Sequence, residues 1–330
     1  MVAQLVEEAD GLQVVRLDLY NKMGHEGSFR VPRVSEARAQ RLLGATGAIA
    51  DVDLCGGVLF EEGRDMRIDD HTQQRDAGFR WAGDADAILI GASLGAETSV
   101  RPAMLTGVRL MAPMGDAGVV AILGRLARLA EGAGGGLPEL GQIELHSIGA
   151  PYAAGNPFSG GGSRPLGTAA FSALTAVLRS GVPALREMRL SSLTVDGAEF
   201  EPALVALFGG AAAWHAASLE ELKLQLLPMG NEAVAAVAKA VGGGAFPALK
   251  RLCLECRPVN DSSLMSLSAA TVDALAAALP GAPKLSSLEV SATIEQPSKQ
   301  ALVAACGKRA ISLQGREGAY GQTAWSASST

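Results

Sequence analysis

Three groups of side chains in this chain have the types that metal binding or catalysis needs. Asp69-Asp70-His71, with Asp65 and Asp76 nearby, sets carboxylates beside an imidazole, a combination that can hold a metal or move protons. Neighbouring residues in a charged loop are not held in ligand geometry, and no second histidine stands at metal spacing, so a solvated loop is expected. Cys253-Leu254-Glu255-Cys256 is a C-x-x-C, but a zinc site needs a second such pair or paired histidines, and the sequence has neither. Free thiols are expected there. The glycine runs at 134–136, 160–162 and 242–244 suggest a phosphate loop, yet no G-x-x-x-x-G-K-[ST] occurs, and two of the runs directly precede strand-like segments. G-x-S-x-G is absent as well. His146 and His215 stand alone and suit a surface better than a base. The expectation is a protein with no catalysis of its own, no metal and no cofactor.

A different regularity organises the chain. The stretch LEELKL at 219–224 returns as LKRLCL at 249–254, and the shared pattern L-x-x-L-x-L has apolar residues at its first, fourth and sixth places. It occurs as Val14-Leu17-Leu19, Ile49-Val52-Leu54, Leu105-Val108-Leu110 and Leu140-Ile143-Leu145. It continues as Leu185-Met188-Leu190, Leu219-Leu222-Leu224, Leu249-Leu252-Leu254 and Leu285-Leu288-Val290, with a weaker copy at Lys308-Ile311-Leu313. The later copies end at 190, 224, 254 and 290, spaced 34, 30 and 36 residues apart. A wider gap between 54 and 110 predicts a degenerate unit, with Ala85, Ile88 and Ile90 as its strand.

The fourth and sixth places alternate with polar residues, the period of a half-buried strand. Several connecting stretches change to helical period: Val119, Ile122, Leu123, Leu126 and Leu129 share a face that Arg125 and Arg128 avoid. Val234, Val237 and Val241 repeat the device before a glycine stop. Strand, helix and glycine-rich return at about thirty residues make a stacking unit, because one unit cannot bury the inner face of its own strand.

Composition sets the outer limits. The chain has 330 residues, 48% of them hydrophobic, 19% charged and only 4% aromatic, which suits closely stacked layers of small and aliphatic side chains. A net charge of −6 argues against a nucleic-acid partner. Four cysteines are no disulfide framework and fit a reducing compartment. The N-terminal residues lack a basic, apolar secretory signal, and no window of eighteen apolar residues offers a membrane span. The expected location is the cytoplasm or the nucleus.

The strand pattern together with MGDAGVVAILGRLARL (114–129) and MGNEAVAAVAKAV (229–241) resembles the leucine-rich-repeat proteins, specifically the ribonuclease-inhibitor-like subclass. The resemblance covers roughly residues 10 to 313. It implies an α/β solenoid: a curved horseshoe with a parallel sheet on the concave face and helices on the convex one. The chain departs from the family at the ninth place of the strand motif, usually Asn or Cys, which here holds Lys22, Gly57, Pro113, Ile148, Leu193, Leu227, Arg257 and Thr293. One domain over 1–313 is expected, with exposed loops at 60–82 and 149–166 and a disordered tail over 314–330.

In such an arc the third, fifth and seventh places of each strand leave the core and line the concave face. That surface is expected to carry Arg109, Glu144, His146, Arg189, Lys223, Gln225, Arg251 and Glu255, more basic toward its middle. A non-catalytic scaffold that binds a protein partner there, one with an acidic surface, is the leading expectation. The alternative is a regulator of a small GTPase, resembling the Ran GTPase-activating proteins.

Overall fold

The computed structural model describes residues 14–17, 51–54, 58–61, 65–69, 107–111, 115–132, 137–146, 166–191, 193, 197–214, 216–257, 264–317 and 323–327. The protein is α/β, a largely parallel sheet with helices between its strands. The first strands are β1 (Val14–Leu17), β2 (Asp51–Leu54), β3 (Val58–Glu61), β4 (Asp65–Asp69) and β5 (Gly107–Met111). Strand and helix then alternate: α1 (Asp116–Gly132), β6 (Gln142–His146), α2 (Thr168–Arg179), β7 (Glu187–Ser191), α3 (Gly197–Gly209), β8 (Glu221–Leu227) and α4 (Asn231–Gly242). The chain continues through β9 (Arg251–Cys256), β10 (Ser266–Leu267), α5 (Ala269–Ala278), β11 (Ser287–Ser291), β12 (Thr293–Ile294), α6 (Gln296–Gly307), β13 (Ser312–Glu317) and β14 (Thr323–Ala327).

One sheet has the order β1-β2-β3-β4-β5-β6-β7-β8-β9-β11-β13-β14, and β10 and β12 make a separate short pair. Pairing is parallel without interruption from β4 to β13. Each of these strands lies beside the next long strand in sequence, and the helices pack in the same succession, α1 on α2 through to α5 on α6.

Strands β6, β7, β8, β9 and β11 start from one recurring turn. Leu137-Pro138-Glu139-Leu140, Val182-Pro183-Ala184-Leu185, Ala216-Ala217-Ser218-Leu219, Phe246-Pro247-Ala248-Leu249 and Ala282-Pro283-Lys284-Leu285 each close with the fourth amide donating to the first carbonyl, at 3.0–3.1 Å. Proline suits the second position because its fixed φ is the one such a turn requires. The first and fourth residues of every turn are buried, so the first leucine of the sequence motif seals the turn and the strand proper begins two residues later.

These turns are joined to one another. The amides of Arg186 and Glu187 both donate to the Gly141 carbonyl, at 2.8 and 3.0 Å, and those of Glu220 and Glu221 to the Arg186 carbonyl, at 2.8 and 2.9 Å. The amides of Lys250 and Arg251 donate to the Glu220 carbonyl, those of Ser286 and Ser287 to the Lys250 carbonyl, and that of Ser312 to the Ser286 carbonyl. The register that follows aligns Val108, Ile143, Met188, Leu222, Leu252, Leu288 and Leu313 in one row, and Leu110, Leu145, Leu190, Leu224, Leu254 and Val290 in another. All are at most 1% exposed. Each buried leucine contributes about 1.5–3 kcal/mol. At the ninth motif place, Leu193 and Leu227 are buried too, so apolar packing fills a position the resembled family gives to Asn or Cys.

The helices cap one another. Gly167 and Gly230, the N-caps of α2 and α4, have no side chain to accept the first amides. A neighbouring helix supplies it: Asp116 Oδ1 accepts from the Gly167 and Ala170 amides at 2.8 and 3.3 Å, and Glu201 Oε1 from those of Glu232 and Ala233 at 2.9 and 3.1 Å. Asn231 Oδ1 likewise accepts from the Ser268 amide at 2.7 Å and the Thr271 hydroxyl at 2.9 Å, at the start of α5. A Cβ on Gly230 would lie 2.6 Å from Glu201 Oε1, so the glycine makes room for the borrowed cap. At Gly281 the obstacle is backbone, with a Cβ only 2.2 Å from the Val241 carbonyl oxygen.

Several expectations change here. Residues 60–61 and 65–69, placed in a loop by their charge, belong to an antiparallel β2-β3-β4 meander. The reason is alternation: Val58 and Phe60 stand opposite Ile68 and Met66 in its register. The segment from Gln314, expected to be disordered, extends β13 to Glu317 and returns as the antiparallel β14, which pairs the edge that a last parallel strand leaves open. The degenerate unit at 85–90 lies outside the described residues, as does the 149–166 loop apart from Leu166.

Gly230→Ala should destabilise by about 1 kcal/mol, the worth of a helix cap, because Glu201 must swing away. In a Glu201→Ala background the same change should be nearly neutral, which a double-mutant cycle of denaturant melts will read. Gly281→Ala should cost more, about 1–3 kcal/mol, since a carbonyl cannot step aside.

Candidate functional site

Residues of the parallel strands that leave the leucine rows form three polar rows on the other face of the sheet. The first runs Gln142, Glu187, Glu221, Arg251 and Ser287, and the second Arg109, Glu144, Arg189, Lys223, Cys253 and Glu289. The third includes His146, Ser191, Gln225, Glu255 and Ser291. Neighbouring strands stand about 4.8 Å apart, so residues far apart in sequence become side-by-side contacts.

The register brings Arg109, Glu144, Arg189 and Lys223 into one row across β5 to β8, as the motif required. Arg251 lies one row toward the strand starts, opposite Glu221. Gln225 and Glu255 are not direct partners. The register runs through Leu224 with Leu254 and resumes only at Leu227 with Cys256, leaving β8 one residue longer across that step. Leu226 occupies the bulge in the left-handed region, at φ 54°. His146 is half-buried, its Nδ1 2.6 Å from Ser191 Oγ.

Three cations on this face, Arg189, Lys223 and Arg251, are held by carboxylates. Arg189 lies 3.3 Å from Glu144, and Lys223 lies 2.6 Å from Glu221 and 3.6 Å from Glu187. Arg251 pairs with the other oxygen of Glu221. The carboxylate members sit deep: the Glu144 and Glu221 side chains are 10% and 9% exposed, against 33% for Arg189 and 63% for Arg251. The expected surface took Arg251 alone from the third-place row, so Glu187 and Glu221 were missing from it. The signal was available, since the third place of each well-matched motif from 140 onward is polar or charged.

Cys253 belongs to this face but is almost covered, and its thiol donates to Glu289 Oε2 at 3.4 Å. Desolvation first, and the Glu289 charge second, push the Cys253 thiol far above its ordinary range. Burial raises Cys256 to about 12 and Cys306 to about 11. These three are free cysteines. Among the described residues no three His, Cys, Asp or Glu side chains gather as a metal site. Asp65 and Asp69 stand at opposite ends of β4, four strand steps and thus about 13 Å apart; Asp70, His71, Asp76 and His215 lie outside the described residues. No helix among the described residues is long and apolar enough to cross a membrane. No protein-family model matches the chain, and no curated protein matches it.

Arg189→Met should destabilise by about 1–3 kcal/mol, because it leaves the deep-set Glu144 without its cation. Adding Glu144→Gln should recover most of that loss, as chemical denaturation will show. Burial raises the folded-state pKa of Cys256 and Cys306, so the folded protein keeps protons that the unfolded thiols release above about pH 8.5. Stability should therefore be full below that value and fall as the pH rises from about 9 toward 11 and 12. A Cys256→Ala, Cys306→Ala variant should show a shallower alkaline decline.

Proposed function

We propose that the protein is a leucine-rich-repeat solenoid of the ribonuclease-inhibitor-like kind, a curved arc with the sheet on its concave side, and that it acts as a non-catalytic scaffold binding a protein partner on that sheet. One observation carries the reading: the first two polar rows run in register as far as β11, from β6 and β5 respectively, on the side of the strands away from the leucine core. Parallel stacking turns this face into a regular array, and solenoids commonly bind along such arrays. The helix starts at Gly115-Asp116 and Gly230-Asn231, with the borrowed caps they supply and receive, support the same assignment.

Chemically the face offers anchored cations with restricted motion. Arginine suits planar contacts to carboxylates, and a cation already steadied by Glu144 or Glu221 loses less side-chain entropy on binding than a free one would. Salt should weaken such binding through its association rate. An affinity capture from cell extract, followed by mass spectrometry, identifies the partner. The variant Arg189→Met, Glu144→Gln, Lys223→Gln, which leaves Glu221 its Arg251 and no deep-set carboxylate unpaired, should greatly weaken its retention while circular dichroism remains native. Undiminished capture by the folded variant would move the binding surface to the helices or loops. Recovery of a small GTPase would favour the regulator reading over a passive scaffold.

A further inference from the structure

Charge is unevenly divided along the edge where the strands begin. The turns and first strand residues of β7, β8, β9 and β11 contain four cations, Arg186, Lys250, Arg251 and Lys284, against three carboxylates, Glu187, Glu220 and Glu221. This is a local excess of positive charge on a chain whose net charge is −6. Depth sharpens it. Lys250 and Arg251 side chains are 50% and 63% exposed, and Arg186 and Lys284 are exposed too, whereas Glu221 is withdrawn at 9%. Glu220 accepts from Lys250 Nζ at 2.8 Å; that bond, with Arg186 and Lys284 also near, holds its carboxyl below the usual range. Three cations thus attend one exposed carboxylate. Glu139, in the turn before β6, and Lys308, after α6, are the exposed charges flanking the row at either end.

We propose that this strand-start rim is the docking site for an acidic, extended segment of a protein partner, with Arg186, Lys250, Arg251 and Lys284 as its contacts. The proposal rests on the binding-scaffold reading and gives its partner a chemistry. Arg186 and Lys250 are two strands apart, about 10 Å, which matches carboxylates three residues apart on one face of an extended polyproline-II segment, at about 3.1 Å per residue. A nucleic acid fits less well, since a small cationic edge on an acidic protein neutralises few phosphates while the remaining field repels a polyanion.

The test uses the full chain and a fluorescein-labelled, glutamate-rich decapeptide, read by fluorescence anisotropy. Binding is expected at low salt and should vanish by about 0.5 M NaCl, where charges at this separation are screened. The variant Arg186→Gln, Lys250→Gln, Lys284→Gln should keep its melting temperature, because it removes only exposed cations, and should bind the peptide about tenfold or more weakly. Unchanged affinity in that variant overturns the proposal, as does single-stranded DNA of equal charge binding as tightly as the peptide. If the rim variant has no effect while the folded Arg189→Met, Glu144→Gln, Lys223→Gln variant still loses capture of a partner, the strand-face reading stands and the acidic-segment proposal falls. If the rim variant alone matters, the binding edge stands and the face reading fails.

Discussion

The structure depends on one repeated hydrogen-bonding step: two successive amides of one layer donate to a single carbonyl of the layer before it. Gly141, Arg186, Glu220 and Lys250 supply those carbonyls in turn. Because each bond pair lies just ahead of a strand, it sets where that strand begins relative to its neighbour. A slip of one residue would turn every leucine of the strand toward the polar face. The apolar rows and the polar rows are thus both consequences of the same backbone step.

What varies between layers is absorbed elsewhere. The proline turns hold their geometry while the segments between them differ in length, and one turn, Ala216 to Leu219, keeps its closing bond without proline. Before that turn the chain inserts a short 3-10 segment ending in the fully buried Trp214, whose ring lies 5.4 Å from Phe208 and 5.6 Å from Phe246. In a core dominated by aliphatic side chains, this aromatic stack fills the space an irregular layer would leave open. The helices meet a similar demand by exchanging caps, so that a residue such as Asn231 begins its own helix and completes the next.

Leucine spacing was enough to read the parallel strands, because each core row uses the same side-chain type at the same place. The amphipathic faces of α1 and α4 were readable for the same reason: Val119, Ile122, Leu123 and Leu126, then Val234, Val237 and Val241, are all buried. Elements outside that repeat were not read. Strands β3 and β4 hide their alternation among charges, and the continuation of β13 past Leu313, with β14, is rich in small and polar residues whose pairing depends on an edge that exists only after the last layer has formed. The candidate face was legible row by row, but its ion pairs were not. Whether Arg189 is free or bonded to Glu144 depends on register between segments 45 residues apart, which composition at a single place does not carry.

The dependence of each layer on its neighbour can be measured directly by residue-resolved amide hydrogen exchange on the free protein. The account predicts strong, similar protection for the amides of Glu187, Glu221, Arg251 and Ser287, whose acceptors all belong to the preceding layer, with exchange governed by a shared opening of the stack. Rapid exchange at these four positions, while amides within α2 and α4 remain protected, would contradict it.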